Sequence, residues 1–211
     1  MLILSLLVAS AALVPAQSAP PNVSRENREL IQGALADFDS KDYDAALVKL
    51  NKADQSMPED VFILNLLGAA YTKKKEFAKA EDYFKRALAK QPEFFPAKFN
   101  VGELLFLQRR YAEALEYFEG MQKVDPRNEL LQFKVFLSEL QLGDKEAAAK
   151  TLKSIKYPGD TPAYYYAQAA WESKNGNNAK ALEYLKGAKY IFGPKTALFD
   201  ETFEDLGIKL R

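Results

Sequence analysis

Apolar residues recur every three or four positions along most of this chain, in stretches of about a dozen residues separated by short polar breaks. The clearest stretch covers residues 62–71, a polar break follows at residues 73–76, and the next stretch covers residues 77–87. This period predicts amphipathic helices. Pro92 ends the second helix because proline has no amide hydrogen for the helix to use. The pattern therefore predicts pairs of helices joined by short turns.

The predicted helix pairs repeat along the chain. The period is marked by alanines 34 residues apart, with 33 residues before the last: Ala46, Ala80, Ala114, Ala148 and Ala181. Small and large apolar residues accompany each alanine at fixed offsets, most clearly in the second copy: Gly68, Tyr71, Phe77, Ala80, Phe84, Ala87 and Pro92. Such a period is typical of stacked helix-turn-helix units. We expect Gly68 and Ala80 to let the two helices of one unit approach closely, with large side chains packed around them.

These residues resemble the tetratricopeptide repeat (TPR) family over residues 27–194, most clearly in the two central copies. The resemblance implies an all-α fold, a right-handed superhelical α-solenoid of helix-turn-helix pairs. Residues 195–211 carry apolar positions among carboxylates, which predicts a C-terminal helix that caps the last repeat. The predicted repeat units are residues 27–60, 61–94, 95–128, 129–161 and 162–194.

Composition limits the chemistry of the chain. It has 29 Lys and Arg residues and 29 Asp and Glu residues, so no global field attracts nucleic acid. It has no cysteine and no histidine, which excludes Cys-His pairs, Ser-His-Asp triads and zinc sites in their ordinary forms. No glycine-rich phosphate loop is present. We therefore expect no enzymatic activity, no cofactor, no metal site and no nucleic-acid partner.

The N-terminus predicts export. Residues 2–14 are almost wholly apolar, and Pro15 and small residues follow up to position 19. A spanning helix needs roughly 20 apolar residues, so this run is short for a membrane span and suits a secretory signal peptide. We expect residues 1–19 to be a cleaved signal, with a retained membrane anchor as the alternative, and residues 20–26 to be a polar lead-in. Both alternatives predict an extracytoplasmic location, periplasmic or secreted.

The resemblance also implies a binding surface. In this family the first helix of each unit lines a concave groove that holds a peptide or a partner segment. Carried onto this sequence, the predicted groove residues are Phe62, Asn65, Phe99, Asn100, Glu103, Phe106, Phe133, Lys134, Leu137 and Tyr166. In one interpretation the aromatic side chains form an apolar trough, with Asn65, Asn100 and Lys134 as polar fixing points. In the other, the aromatic side chains pack between adjacent first helices, or against a C-terminal helix folded into the groove.

The sequence thus predicts a non-enzymatic protein–protein interaction scaffold of the cell envelope that binds a peptide or a partner subunit in the concave groove. The alternative is a self-assembling structural component that oligomerises through its convex face or its terminal repeats. In both cases the expected partner is a protein or peptide, and the membrane is contacted only through an uncleaved N-terminal segment.

Overall fold

The computed structural model describes residues 24–208, and this part of the chain is all-α, as predicted. The predicted signal or anchor, residues 1–19, lies outside the described residues, as does most of the predicted lead-in. The helices are α1 (Arg25–Asp39), α2 (Tyr43–Ser56), α3 (Val61–Lys73), α4 (Phe77–Lys90), α5 (Phe95–Leu107), α6 (Tyr111–Val124), α7 (Glu129–Leu142), α8 (Lys145–Ser154), α9 (Ala163–Lys174), α10 (Asn178–Phe192) and α11 (Ala197–Asp205), with a 3₁₀ turn at Gly193–Thr196 before α11.

Short polar side chains start many of these helices. In each case an oxygen of the N-cap side chain accepts a hydrogen bond from an amide of the first helical turn, which leaves fewer unsatisfied donors at the helix end. The capping residues of α1, α2, α3, α7 and α8 are Ser24, Asp42, Asp60, Asn128 and Asp144. The helix starts therefore follow from local sequence.

The tight turn inside each helix pair contains a residue in the left-handed backbone region. These residues recur at the same place in each pair, with φ between 61° and 83°: Lys41, Lys75, Arg109, Gly143 and Gly176. Glycine adopts this region without steric cost, whereas a side chain with a Cβ is disfavoured there. Three of the turns thus carry a strained Lys or Arg where the other two carry glycine.

The described chain divides into two compact units, the first ending at Leu104 and the second beginning at Leu105. In the first unit, α3 packs against α4 as the small residues predict. A Cβ at Gly68 would lie 2.5 Å from Cε1 of Phe84, so only glycine permits this approach. Ala80 and Phe84 are both buried beside it. Tyr71 stacks on Tyr83 at the edge of the same contact, with ring centroids 5.5 Å apart.

In the second unit, a buried carboxylate fixes the loop between α8 and α9. Glu129, at the start of α7, accepts hydrogen bonds from the backbone amides of Asp160 and Thr161, both at 2.9 Å, and from the Thr161 hydroxyl at 2.5 Å. A Cβ at Gly159 would lie 2.8 Å from both carboxylate oxygens. The loop therefore depends on a glycine beside Glu129, and it sets the position at which α9 begins.

Candidate partner-binding site

Two of the predicted polar fixing points in the first unit bind each other. Asn65 on α3 and Asn100 on α5 are buried, and the Asn100 Nδ2 donates to the Asn65 Oδ1 at 2.8 Å. Removing one partner of a buried hydrogen bond lowers the free energy of unfolding by about 1–3 kcal/mol. The pair therefore joins two first helices that are adjacent along the repeat.

The other predicted residues of the first unit differ in exposure. Phe99 is buried on α5 and lies beside Phe95, with ring centroids 6.4 Å apart. Phe62 on α3 and Glu103 on α5 are partly exposed. Of the predicted groove residues in this unit, Phe62 and Glu103 are thus the ones that offer side-chain surface to a partner.

The predicted aromatic residues of the second unit are covered by the chain itself. Helix α11 lies against α7 and α9: the Phe199 ring centroid is 5.1 Å from that of Phe133 and 5.2 Å from that of Tyr166. The Phe203 ring meets Tyr166 edge-on at 5.1 Å. The buried predicted residues of this unit are Phe106, Phe133, Lys134, Leu137 and Tyr166. For Phe133 and Tyr166, packing against a C-terminal helix is the arrangement observed.

Polar contacts fix α11 on this surface. The Lys134 ammonium, whose residue is only 1% exposed, donates to the Thr202 hydroxyl at 3.1 Å and lies 5.7 Å from the centre of the Phe106 ring. The Tyr166 hydroxyl donates to Oδ1 of Asp200 at 2.5 Å. Burial raises the pKa of Tyr166, and the hydrogen bond to the Asp200 carboxylate raises it further. The phenol is therefore protonated, and a donor, at every physiological pH.

The spacing along α11 explains its two faces. Phe199, Thr202 and Phe203 are separated by three and four residues, so they lie on one side of the helix, and all three are buried. Glu204 and Asp205 are exposed on the other side. The sequence predicts this helix but does not single out Asp200 and Thr202 as its polar contacts. Two features of the sequence indicate such contacts. One is the three- and four-residue spacing of Phe199, Thr202 and Phe203, and the other is Lys134, the single lysine of the first helix α7.

The family follows from the repeats. The tetratricopeptide repeat model matches residues 31–93 and again residues 65–129, and these ranges contain the close-packed helix pair described above. The chain belongs to the tetratricopeptide repeat family. TPR proteins typically serve as non-enzymatic scaffolds that bind other proteins, so the fold implies a protein–protein interaction scaffold in general terms.

Two curated proteins share part of the sequence. The chain is 31% identical over 109 residues to small glutamine-rich tetratricopeptide repeat-containing protein 2 of Mycosarcoma maydis, which is 52% of this chain and 31% of that protein. It is 29% identical over 77 residues to the uncharacterized protein ycf37 of Cyanophora paradoxa, 36% of this chain and 45% of that one. The chain thus spans less than half the length of either relative.

Solved TPR structures share the fold. TTC0263 of Thermus thermophilus superposes with a TM-score of 0.69 at 21% identity, over 86% of this chain and 100% of that one. The type IV pilus biogenesis factor PilW gives 0.65 at 20% identity, over 88% of each chain. MamA of Desulfovibrio magneticus RS-1 superposes with a TM-score of 0.61 at 15% identity, over 80% of this chain and 96% of that one. At these identities the likeness concerns the fold alone.

Residues 24–208 show neither a membrane-spanning helix nor a metal-binding cluster. No helix in this range is long and apolar enough to cross a membrane. Within the same range, no group of three or more acidic side chains is arranged to hold a metal ion.

Proposed function

We propose that this protein is a non-enzymatic scaffold of the cell envelope that holds a segment of a protein partner on the surface lined by the first helices of its repeats. The contact of α11 with α7 and α9 is the observation that carries the proposal. There, a first-helix surface already holds a helix through two phenylalanines and two polar contacts. A surface of this kind therefore has the chemistry to bind a helical segment.

The partner segment is expected on the first unit, because α11 occupies the corresponding surface of the second. Phe62 and Glu103 supply one apolar and one acidic contact, since both are partly exposed. The buried residues Asn65, Phe99 and Asn100 support them by holding α3 and α5 in a fixed arrangement. A preformed surface loses little conformational entropy on binding, which favours affinity.

The test compares a partly exposed position of the first unit with an exposed one. Phe62 lies on a first helix, whereas Val48 lies on the second helix α2 and is 58% exposed. A photo-crosslinking amino acid placed at residue 62 should capture a partner in vivo, and one placed at residue 48 should not. A captured partner should then bind Phe62→Arg at least about tenfold more weakly and Val48→Arg normally. Equal capture at both positions, or binding indifferent to Phe62→Arg in a folded variant, would contradict the proposal.

The envelope location rests on the apolar run at residues 2–14. Cell fractionation with mass spectrometry of the purified chain tests it. A periplasmic or secreted chain that begins after Ala16 or Ser18, or an intact chain in the membrane fraction, is the expected result. An intact chain confined to the cytoplasm would reject this part of the proposal and leave the scaffold function in place.

A second candidate function is self-assembly through the terminal repeat. Tyr190 and Ile191 on α10 are 92% and 55% exposed, which is unusual for adjacent large apolar residues. If these residues form a contact between copies, light scattering should show a concentration-dependent oligomer that Tyr190→Lys with Ile191→Lys abolishes. A monomer over the whole concentration range would exclude this candidate.

A further inference from the structure

In the second unit, α11 of the same chain covers the surface formed by α7 and α9. We propose that the surface formed by α7 and α9 accepts an acidic amphipathic helix with two aromatic residues one turn apart, and that α11 is its resident, displaceable occupant. This inference rests on the proposed function in one respect, that a first-helix surface binds helices, and adds the class of ligand and a means of regulation.

The apolar part of the site selects the aromatic spacing. Phe199 contacts the rings of both Phe133 and Tyr166, and Phe203 meets Tyr166 edge-on, with the two ring planes at 84°. Residues four apart on a helix lie one turn apart on the same face. Only a helix with large apolar side chains at this spacing fills both positions, since aromatic pairs favour such edge and tilted geometries.

The polar part of the site selects an acidic ligand. Lys134 and Tyr166 both present hydrogen-bond donors to α11, and Asp200 and Thr202 supply the acceptors. Lys189 on α10 adds positive charge, with its Nζ 3.6 Å from the Asp200 carboxylate. A ligand with a carboxylate at the position of Asp200 is attracted by this charge, whereas a basic residue there would be repelled.

The construction of α11 makes it displaceable. The helix has nine residues, and helices shorter than about 12–15 residues are marginal in water on their own. Its N-cap, Thr196, makes no side-chain capping bond, and the preceding 3₁₀ turn starts at Gly193, which has a φ of +52°. Its position thus depends on contacts made from one face, and it can detach without unfolding α7 or α9. A partner helix with the same pattern would bind only by outcompeting α11.

The first experiment measures whether the site accepts a helix in trans. The probe is a fluorescent peptide of residues 196–208, added to the full chain and followed by anisotropy. The variant Phe199→Ser with Phe203→Ser weakens the resident helix and should bind the peptide at least about tenfold more tightly than the wild type. Glu204→Ser, on the exposed face of α11, is the matched control and should behave as the wild type. A peptide carrying both serines should not bind.

The outcomes separate the alternatives. If the folded double variant binds the peptide no better than the wild type, the inference is overturned. If light scattering shows a wild-type dimer that the double variant loses, the helix belongs to a second copy and intramolecular occupancy is overturned. Neither result involves Phe62, so the crosslinking test of the first unit succeeds or fails separately.

Hydrogen exchange on the wild-type chain tests whether α11 is displaceable without any variant. A displaceable α11 should exchange its helical amides at least about tenfold faster than the amides of α7, because it opens locally. Addition of an excess of the unlabelled peptide should increase that exchange further, since the peptide competes for the site. Amides in α11 that exchange as slowly as those of α7, with or without the peptide, would overturn the inference.

Discussion

Gly68 is the position where one added methyl group tests the packing of the helix pair most directly. A Cβ there would lie 2.5 Å from Cε1, 2.7 Å from Cδ1 and 2.9 Å from Cζ of Phe84. The Phe84 side chain is fully buried, so its ring cannot turn out into solvent. Gly68→Ala must therefore displace either the ring or one of the helices α3 and α4.

The size of the effect follows from two opposing contributions. Overpacking a filled core costs about 1–3 kcal/mol, whereas replacing a helical glycine by alanine gains about 1 kcal/mol of helix propensity. Gly68→Ala should therefore lower the free energy of unfolding by about 0–2 kcal/mol. Gly120 provides the matched control: it lies within α6, and a Cβ there meets no atom within 4 Å. Gly120→Ala should stabilise the protein by about 1 kcal/mol.

Urea unfolding followed by circular dichroism measures both variants, and an unchanged m-value confirms that stability alone has changed. The difference between the two variants isolates the steric cost, about 1–3 kcal/mol. The same substitution in a Phe84→Ala background should become stabilising, because the ring that it strikes is gone. If Gly68→Ala stabilises the wild type as much as Gly120→Ala does, close packing of Gly68 on Phe84 is refuted.

Four further substitutions test local features by unfolding measurements. Lys75→Gly should raise the free energy of unfolding by about 0.5–1 kcal/mol because Lys75 holds a φ of 61°, and Gly143→Ala should lower it by a similar amount. Gly159→Ala should lower it by about 1–3 kcal/mol, since the methyl group strikes the Glu129 carboxylate; a neutral result would contradict the contact. Burial raises the pKa of Glu139, so its charged form destabilises the fold above that pKa and this cost disappears as the pH falls below it. Glu139→Gln should therefore stabilise the protein at neutral pH and have little effect in acid, and a gain that persists in acid would contradict this assignment.

The fold was predictable because its packing requirements repeat. Each helix pair needs small residues where its helices touch, and Gly68 and Ala80 stand out at a fixed offset from their counterparts. The left-handed turn residue repeats just as regularly, but the residue type does not reveal this conformation at Lys41, Lys75 and Arg109. The usual sequence sign of a left-handed turn is glycine. A Lys or Arg in this strained conformation cannot be distinguished by sequence from an ordinary exposed surface residue.

The binding surface was less predictable because its contacts join residues far apart in sequence. The aromatic period along the first helices is visible at Phe99 and Phe133, but a helical pattern does not say what an aromatic face packs against. In the second unit, Phe133 packs against Phe199, which lies on the last helix of the described chain. Local periodicity fixes which side chains share a face, and tertiary contact decides whether that face is open.

Lys134 distinguishes the surface under α11 from ordinary core. A leucine at this position would fill space without the cost of desolvating an ammonium, which amounts to several kcal/mol for a buried ion. The lysine instead makes the surface depend on an acceptor, and Thr202 of α11 is one that it finds. The buried pair Asn65 and Asn100 differs, because its hydrogen bond, donated by the Asn100 Nδ2 to the Asn65 Oδ1, joins two first helices of the repeats. Because an acceptor for Lys134 comes from a separate helix, the surface favours helices that carry an acceptor at this position. Such selectivity is characteristic of a binding site.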